Sequence, residues 1–100
     1  MPNDCGNAPR IGIVSDIVSR WAKGDEEGLA EWLGDDASMT APPWQPDSLE
    51  VLAVITHGRL AACDGVLSAG DKRLRFSHIF RFASTSKTAN VAEVRTYYGT

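Results

Sequence analysis

The stretch Arg73-Leu-Arg-Phe-Ser-His-Ile-Phe-Arg-Phe82 decides the fold class, because apolar and polar side chains alternate along its ten residues. Such alternation over more than a few residues is typical of a β-strand that buries one face. The even-numbered positions form the apolar face, and they include one histidine. These positions are Leu74, Phe76, His78, Phe80 and Phe82.

Three further apolar stretches, near residues 49–56, 59–68 and 90–98, flank this strand. Apolar stretches of this length between turn signals predict an antiparallel meander of four strands. The turn signals are His57-Gly58, Ala69-Gly70-Asp71 and Ser84-Thr85-Ser86.

Residues 49–56 also admit a helix, because Asp47 and Glu50 have the spacing of a capping box. We favour a strand, since this stretch is rich in β-branched residues and a two-residue turn follows it directly. The β-branched residues are Val51, Val54, Ile55 and Thr56.

The first half of the chain has helical periodicity instead. Apolar residues at helical spacing between Ile11 and Trp21 predict a first helix. Asn7 is a suitable N-cap, and Gly24 can adopt the left-handed conformation in which many helices end. We expect residues 1–7, which are polar and contain Pro and Gly, to form a flexible arm.

A second, shorter helix is predicted between Asp25, its N-cap, and Gly34, its end. A brief extended piece is expected at residues 37–41. The stretch 42–46 excludes both a helix and a central strand, because three of its five residues are proline. The apolar stripe of the second helix is Leu29, Trp32 and Leu33.

The composition is that of one small globular domain spanning residues 1–100. Hydrophobic residues make up 43% and charged residues 23% of the chain, which excludes disorder. The net charge of −3 argues against nucleic-acid binding, and no apolar run approaches the roughly 20 residues that a membrane span needs. Cys5 and Cys63 match neither a metal motif nor a disulfide framework. We therefore expect no metal, no cofactor and a cytoplasmic location.

Two helices followed by an antiparallel meander predict an α+β fold. We expect two or three N-terminal helices to cover one face of a strongly curved sheet of four to six strands. The helices and the sheet should together enclose a cone-shaped hollow.

Short motifs in both halves of the chain carry a family resemblance. The helical half contains Trp21-x-x-Gly24-Asp25, Leu29 and Leu33–Ala37, and the sheet contains Leu49–Leu52, His57–Arg59, Phe76–Phe82 and Val94–Tyr98. In order and spacing these motifs, which span residues 10–98, resemble the nuclear transport factor 2-like superfamily, especially its SnoaL-like and ketosteroid isomerase-like branches. The resemblance implies a cystatin-like α+β roll with a pocket. It implies no single reaction, because this fold hosts enzymes and non-catalytic binders.

The chain departs from that family after the first short extended piece, where the family carries a third helix. Only residues 42–48 occupy this place. The pocket should therefore be smaller or more open, unless a partner subunit covers it.

Two ionisable residues are candidates for a catalytic pair. If 59–68 and 73–83 pair as a hairpin, even-numbered positions share one face, and Asp64 can lie directly opposite His78, about 5 Å away between Cβ atoms. His78 could then transfer a proton while Asp64 orients it. The alternative is a buried polar pair that satisfies its own hydrogen bonds without chemistry.

The resemblance implies a related use of His78. The residue stands where the ketosteroid isomerase-like branch has a carboxylic acid that donates to developing enolate charge. Ala41 stands where that branch has its general-base aspartate, and Ile17 where it has a tyrosine donor. We therefore do not expect ketosteroid isomerisation by that mechanism.

Other side chains are expected to line the hollow and contact a ligand. Trp44, which has no periodic partner, could plug the pocket mouth or pack at a subunit contact. Tyr98 shares parity with Val94 and Thr96, so its hydroxyl can reach the hollow. The predicted ligand-binding residues are Ile17, Trp21, Trp44, Leu60, Ala62, Phe76, Phe80 and Tyr98.

The other face of the third strand carries Arg73, Arg75 and Arg81. It could bind an anion, but the negative net charge favours a solvated face or half of a homodimer contact, which the resemblance also implies. Apolar area there is expected from Ala61, Cys63 and Ile79.

The sequence thus predicts a small-molecule pocket protein that binds a compact apolar ligand and that, if it is an enzyme, transfers a proton near a carbonyl. The alternative is a non-catalytic binding or assembly module whose cone is filled by its own side chains. A cavity that exposes His78 and Asp64 favours the first hypothesis. A cavity that is closed by Trp21, Trp32 and Phe76 favours the non-catalytic module.

Overall fold

The computed structural model describes residues 8–86 and 88–99. The predicted arm at 1–7, with the Asn7 cap and Cys5, lies outside these residues. Helix α1 spans Ala8–Lys23 and ends at Gly24, whose φ of 74° gives the predicted left-handed stop. Within the described residues, no helix is long and apolar enough to cross a membrane.

Helix α2 spans Glu26–Ala30 and is shorter than predicted. Asp25 is its N-cap, as predicted, and the carboxylate accepts a hydrogen bond from a backbone amide of the first turn. The predicted end at Gly34 is wrong because the chain leaves the helix to bond with Val91. The Val91 amide donates to the Trp32 carbonyl, and the Gly34 amide donates to the Val91 carbonyl, each over 2.8 Å.

The connection from the helices to the sheet is irregular. Residues 37–41, predicted as extended, pair with no strand in the described chain, and residues 42–47 form neither helix nor strand. The side chain of Trp21 holds this connection against α1, because its indole Nε1–H donates to the Thr40 carbonyl over 2.8 Å.

Four antiparallel strands form one sheet in the order β1-β2-β3-β4, as the meander predicts. The helical alternative for residues 49–56 is wrong, and the carboxylate of Asp47 accepts a hydrogen bond from the Gly70 amide instead of capping a helix. The strands are β1 Ser48–His57, β2 Leu60–Ala69, β3 Lys72–Phe82 and β4 Val91–Gly99.

Two tight loops set the strand register. Gly58-Arg59 joins β1 to β2, and Gly70-Asp71 joins β2 to β3, so Ala69 pairs with Lys72. Both glycines have a φ of 59°, the positive value that two-residue hairpin loops require at their first position. This register places Cys63, not Asp64, opposite His78.

The sheet has an inner face, which packs against α1, and an outer face, which does not. Odd-numbered residues of β2 and even-numbered residues of β3 lie on the inner face. They complete a core with Val14, Ile17, Val18 and Trp21 of α1. The inner face includes Ala61, Cys63, Leu67, Phe76, His78 and Phe80, and the outer face includes Leu52, Ile55, Leu60, Ala62, Asp64, Ile79 and Tyr97.

The predicted positions of Arg73, Arg75, Arg81 and Ile79 on the outer face are confirmed by the register. Ala61 and Cys63, predicted to add apolar area there, lie in the core instead.

Gly65 allows β1, β2 and β3 to approach closely where the sheet bends. A bulge at Leu52 lies beside it, because Val51 pairs with Gly65 and Ala53 with Asp64. A Cβ atom on Gly65 would clash with the Glu50 carbonyl and would lie 2.7 Å from Cζ of Phe76. The ring of Phe76 thus occupies the space that a side chain at 65 would need.

We expect Gly65→Ala to lower the free energy of unfolding by about 1–3 kcal/mol, because overpacking forces a strand or the Phe76 ring to move. Gly12→Ala is the matched control. Gly12 lies on α1 with no heavy atom within 4 Å of a built Cβ, so the change should be neutral or stabilise by up to about 1 kcal/mol. Urea unfolding measures both variants, and equal midpoints for the two would contradict the clash.

Candidate ligand-binding cleft

His78 lies at the centre of β3 and is completely buried, with 0% of its surface exposed. Its ring contacts Trp21 edge-on at 4.3 Å between centroids, and the rings of Phe76 and Phe80 lie at 5.1 and 5.7 Å. Burial lowers the pKa of His78 to about 4. The imidazole is therefore neutral at pH 7 and sits in the core rather than in an open hollow.

One polar contact connects His78 to the edge of the core. Its Nδ1 lies 2.8 Å from Oγ1 of Thr96 on β4, which is within hydrogen-bond distance. Its Nε2 is buried and has no hydrogen-bond partner in the described chain.

The predicted pair of His78 and Asp64 does not form. The two-residue loop at Gly70-Asp71 shifts the register by one position from the predicted one, and this shift moves Asp64 to the outer face. Cys63 takes the place opposite His78, but burial raises the pKa of its thiol to about 11. Cys63 is therefore protonated at pH 7 and does not supply a thiolate nucleophile.

A surface cleft of about 480 Å³ lies where the irregular connection passes β4. Among the described residues, those that line the cleft carry apolar side chains or hydroxyl groups, and none of them is charged. Tyr98 is 45% exposed at its rim, and partial burial raises the pKa of its phenol. The lining residues are Ser38, Met39, Thr40, Ala41 and Pro43 from the connection and Val94, Thr96 and Tyr98 from β4.

Thr96 belongs both to this cleft and to the hydrogen bond with His78. A second cleft, of about 500 Å³, lies between α2 and residues 34–39 and includes the carboxylate residues Glu26 and Asp35. The β4 cleft, unlike the second one, has a lining residue bonded to a buried ionisable group in the described chain. We therefore treat it as the candidate site.

The structure places the predicted ligand-binding residues in four different surroundings. Tyr98 lies in the cleft, whereas Trp44 is half-buried at the edge of the core, with Lys72 Nζ 5.4 Å from its ring centroid. Leu60 and Ala62 lie on the outer face because of the register shift, so their prediction as pocket residues is wrong. The remaining four, Ile17, Trp21, Phe76 and Phe80, are core residues with at most 2% exposure.

Sequence reasoning missed two parts of the cleft. Thr96 could have been found from its parity with Tyr98, since alternate residues of β4 share the inner face. The segment 38–43 has no periodicity because it pairs with no strand, and the family resemblance alone pointed to Ala41 within it. No group of three or more His, Cys, Asp or Glu in the described residues is arranged to hold a metal ion.

These features define an α+β protein in which α1, with α2 packed against it, covers one face of a four-stranded antiparallel sheet, with a cleft at the open edge. The chain has an NTF-2-like fold. It superposes on an NTF-2-like protein of unknown function from Burkholderia xenovorans with a TM-score of 0.72 and 15% identity, covering 97% of this chain and 87% of that one.

A second solved structure is similar over most of its length. It is a DUF4783 family protein from Bacteroides uniformis, with a TM-score of 0.57 and 12% identity, covering 86% of this chain and 96% of that one. No protein-family model and no curated protein matches the chain. At these identities the two likenesses show the fold and not the activity.

The burial of His78 makes stability depend on pH. The unfolded chain binds a proton at His78 near pH 6.5, whereas the native state binds it only near pH 4. Protons therefore favour unfolding between these pH values. The contribution of His78 to the free energy of unfolding is complete above pH 6.5 and is lost as the pH falls to 4. We expect this residue alone to cost about 3 kcal/mol of unfolding free energy between pH 7 and 4.

Urea unfolding at several pH values, compared between wild type and His78→Gln, isolates this contribution from that of the carboxylates. In this variant the free energy of unfolding should depend less steeply on pH between 4 and 6.5, whatever its overall stability. His57→Gln, at the chain's other histidine, exposed at the end of β1, is the control and should keep the wild-type dependence on pH. A wild-type slope in His78→Gln would assign the pH dependence to other groups.

Proposed function

We propose that the protein binds a small neutral molecule in the β4 cleft and does not use His78 and Asp64 as a catalytic pair. The observation that carries this proposal is the lining of the cleft, in which hydroxyl groups and apolar side chains surround about 480 Å³. This volume lies in the range of small-molecule sites, roughly 300–1,000 Å³.

The lining favours an uncharged ligand. Apolar contact comes from Met39, Pro43 and Val94, and hydroxyl groups of Thr96 and Tyr98 offer directional hydrogen bonds. A charged ligand would lose water without gaining an opposite charge from the described lining, which is unfavourable. A compact molecule with one or two polar atoms matches this mixture best.

The buried interior favours binding over proton transfer. Trp21 and Phe76 cover His78, whose surface is 0% exposed, so a ligand in the cleft has no direct access to its ring. Asp64 lies on the other face of the sheet and cannot orient the imidazole. This arrangement supports the non-catalytic alternative that the sequence left open.

Ala41→Trp tests the cleft as the binding site. We expect cyclohexanone, a compact neutral ketone, to raise the melting temperature of the wild type and not that of this variant, because the indole fills the cleft. At ten times its Kd, a ligand of the native state stabilises by about 1.4 kcal/mol.

Ala83→Trp, which places the same side chain at an exposed position after β3, is the matched control and should bind like wild type. Equal melting shifts in both variants would place the binding elsewhere, and the absence of any shift in wild type would contradict the proposed function.

We also propose that two copies of the chain associate through the outer face. This face exposes large apolar side chains, with Leu52 at 49%, Ile55 at 68%, Leu60 at 50% and Tyr97 at 52% exposure. Apolar side chains grouped on one sheet face are typical of interaction surfaces.

The charges of the outer face support a second copy as the partner. Glu50 is exposed on this face and makes no ion pair with any described residue. Arg73 and Arg75 lie on the same face and make no ion pair with any described residue. A face that carries both unpaired signs is complementary to a copy of itself turned by a two-fold axis.

Ile55→Glu should weaken this association at least tenfold, because it places a charge in an apolar contact and costs the monomer little at 68% exposure. Light scattering coupled to gel filtration, over a range of concentrations, measures the mass. Ala30→Glu, at an exposed position on α2, controls for added charge. A wild-type monomer at all concentrations would overturn this proposal.

A further inference from the structure

We infer that Thr96 selects the ligands of the β4 cleft by donating a hydrogen bond from its hydroxyl to an acceptor oxygen of the bound molecule. This inference rests on the proposed function, since it assigns the ligand chemistry of the same cleft.

The protonation of His78 is limited to one ring nitrogen. The ring is completely buried among Trp21, Phe76 and Phe80, and burial lowers its pKa to about 4. A neutral imidazole has one N–H donor and one acceptor nitrogen. Nδ1 faces Oγ1 of Thr96 at 2.8 Å, and Nε2 has no partner in the described chain.

The two tautomers leave different groups unpaired. With the proton on Nε2, a buried N–H donor has no partner. With the proton on Nδ1, that N–H donates to Oγ1 of Thr96, and only an acceptor lone pair on Nε2 is left unpaired. Buried donors without a partner are rarer in proteins than under-used acceptors, so the Nδ1–H tautomer is favoured.

In this tautomer the oxygen of Thr96 accepts from His78, and its own O–H is free to donate. The described chain offers that hydroxyl no other partner, and Thr96 lines the cleft. The donor is therefore available to a molecule in the cleft, and the hydrogen bond from His78 polarises it further. A carbonyl or ether oxygen satisfies it, and a hydrocarbon does not.

The test compares cyclohexanone with methylenecyclohexane, which has nearly the same shape but no acceptor oxygen. Wild type should bind the ketone about fivefold more tightly, since one hydrogen bond contributes on the order of 1 kcal/mol. Thr96→Val, which keeps the shape of the side chain and removes the hydroxyl, should abolish this preference. Thr96→Ser, which restores a hydroxyl, should recover it.

Nitrogen-15 NMR of the imidazole at pH 7 tests the tautomer on which the donor role of Thr96 depends. We expect the shift of a protonated Nδ1 and an unprotonated Nε2 in wild type. A protonated Nε2, or an unchanged ketone preference in Thr96→Val, overturns the role of Thr96.

The outcomes also separate this inference from the proposed function. If both compounds bind wild type equally and Ala41→Trp blocks both, the cleft binds small molecules but Thr96 does not select them. If neither compound binds wild type, the proposed function and the ligand assignment fail together.

Discussion

The two-residue loop Gly70-Asp71 determines which side chains of the central hairpin face the helices. Because strand side chains alternate with a period of two, one more residue in this loop would turn the whole of β2 around. Asp64 would then lie in the apolar core opposite His78, where burying a carboxylate is very costly. Val66 would also take the inner position of Gly65, where even a Cβ atom clashes. Turn geometry, desolvation and packing therefore all favour the same register.

The filled core follows from that register. With Cys63 and Gly65 on the inner face, the space above β2 is small and neutral, and the rings of Trp21, Phe76 and Phe80 close around His78. The imidazole keeps one polar contact, at Thr96, because β4 is the only strand next to β3 on that side. The hydroxyl of Thr96 therefore connects His78 to the cleft.

The sequence predicted the features that depend on periodicity. The spacing of apolar residues predicts helix α1, the four strands and the inward side chain of His78. Tertiary contacts reinforce these features and do not change them. The pairing of Asp64 with His78 was wrong because it depends on one residue of loop length, which alternation alone does not determine. The end of α2 was wrong because its last turn is replaced by backbone bonds to Val91, about 60 residues away. The cleft depends on a loop without periodicity, and no local pattern could reveal it.

The position of the cleft can be traced to the proline-rich connection. Residues 42–46 cannot form a helix, so no element of regular structure covers this edge of the sheet. Asp47 fixes one end of the connection at the Gly70 loop, and the Trp21 indole fixes Thr40 near the other. Between these two attachments the chain passes β4 without pairing to it, which leaves the inner side of Val94, Thr96 and Tyr98 uncovered. A chain this short fills its core with its own side chains, so the space for a ligand lies at the edge, where the connection and β4 fail to meet.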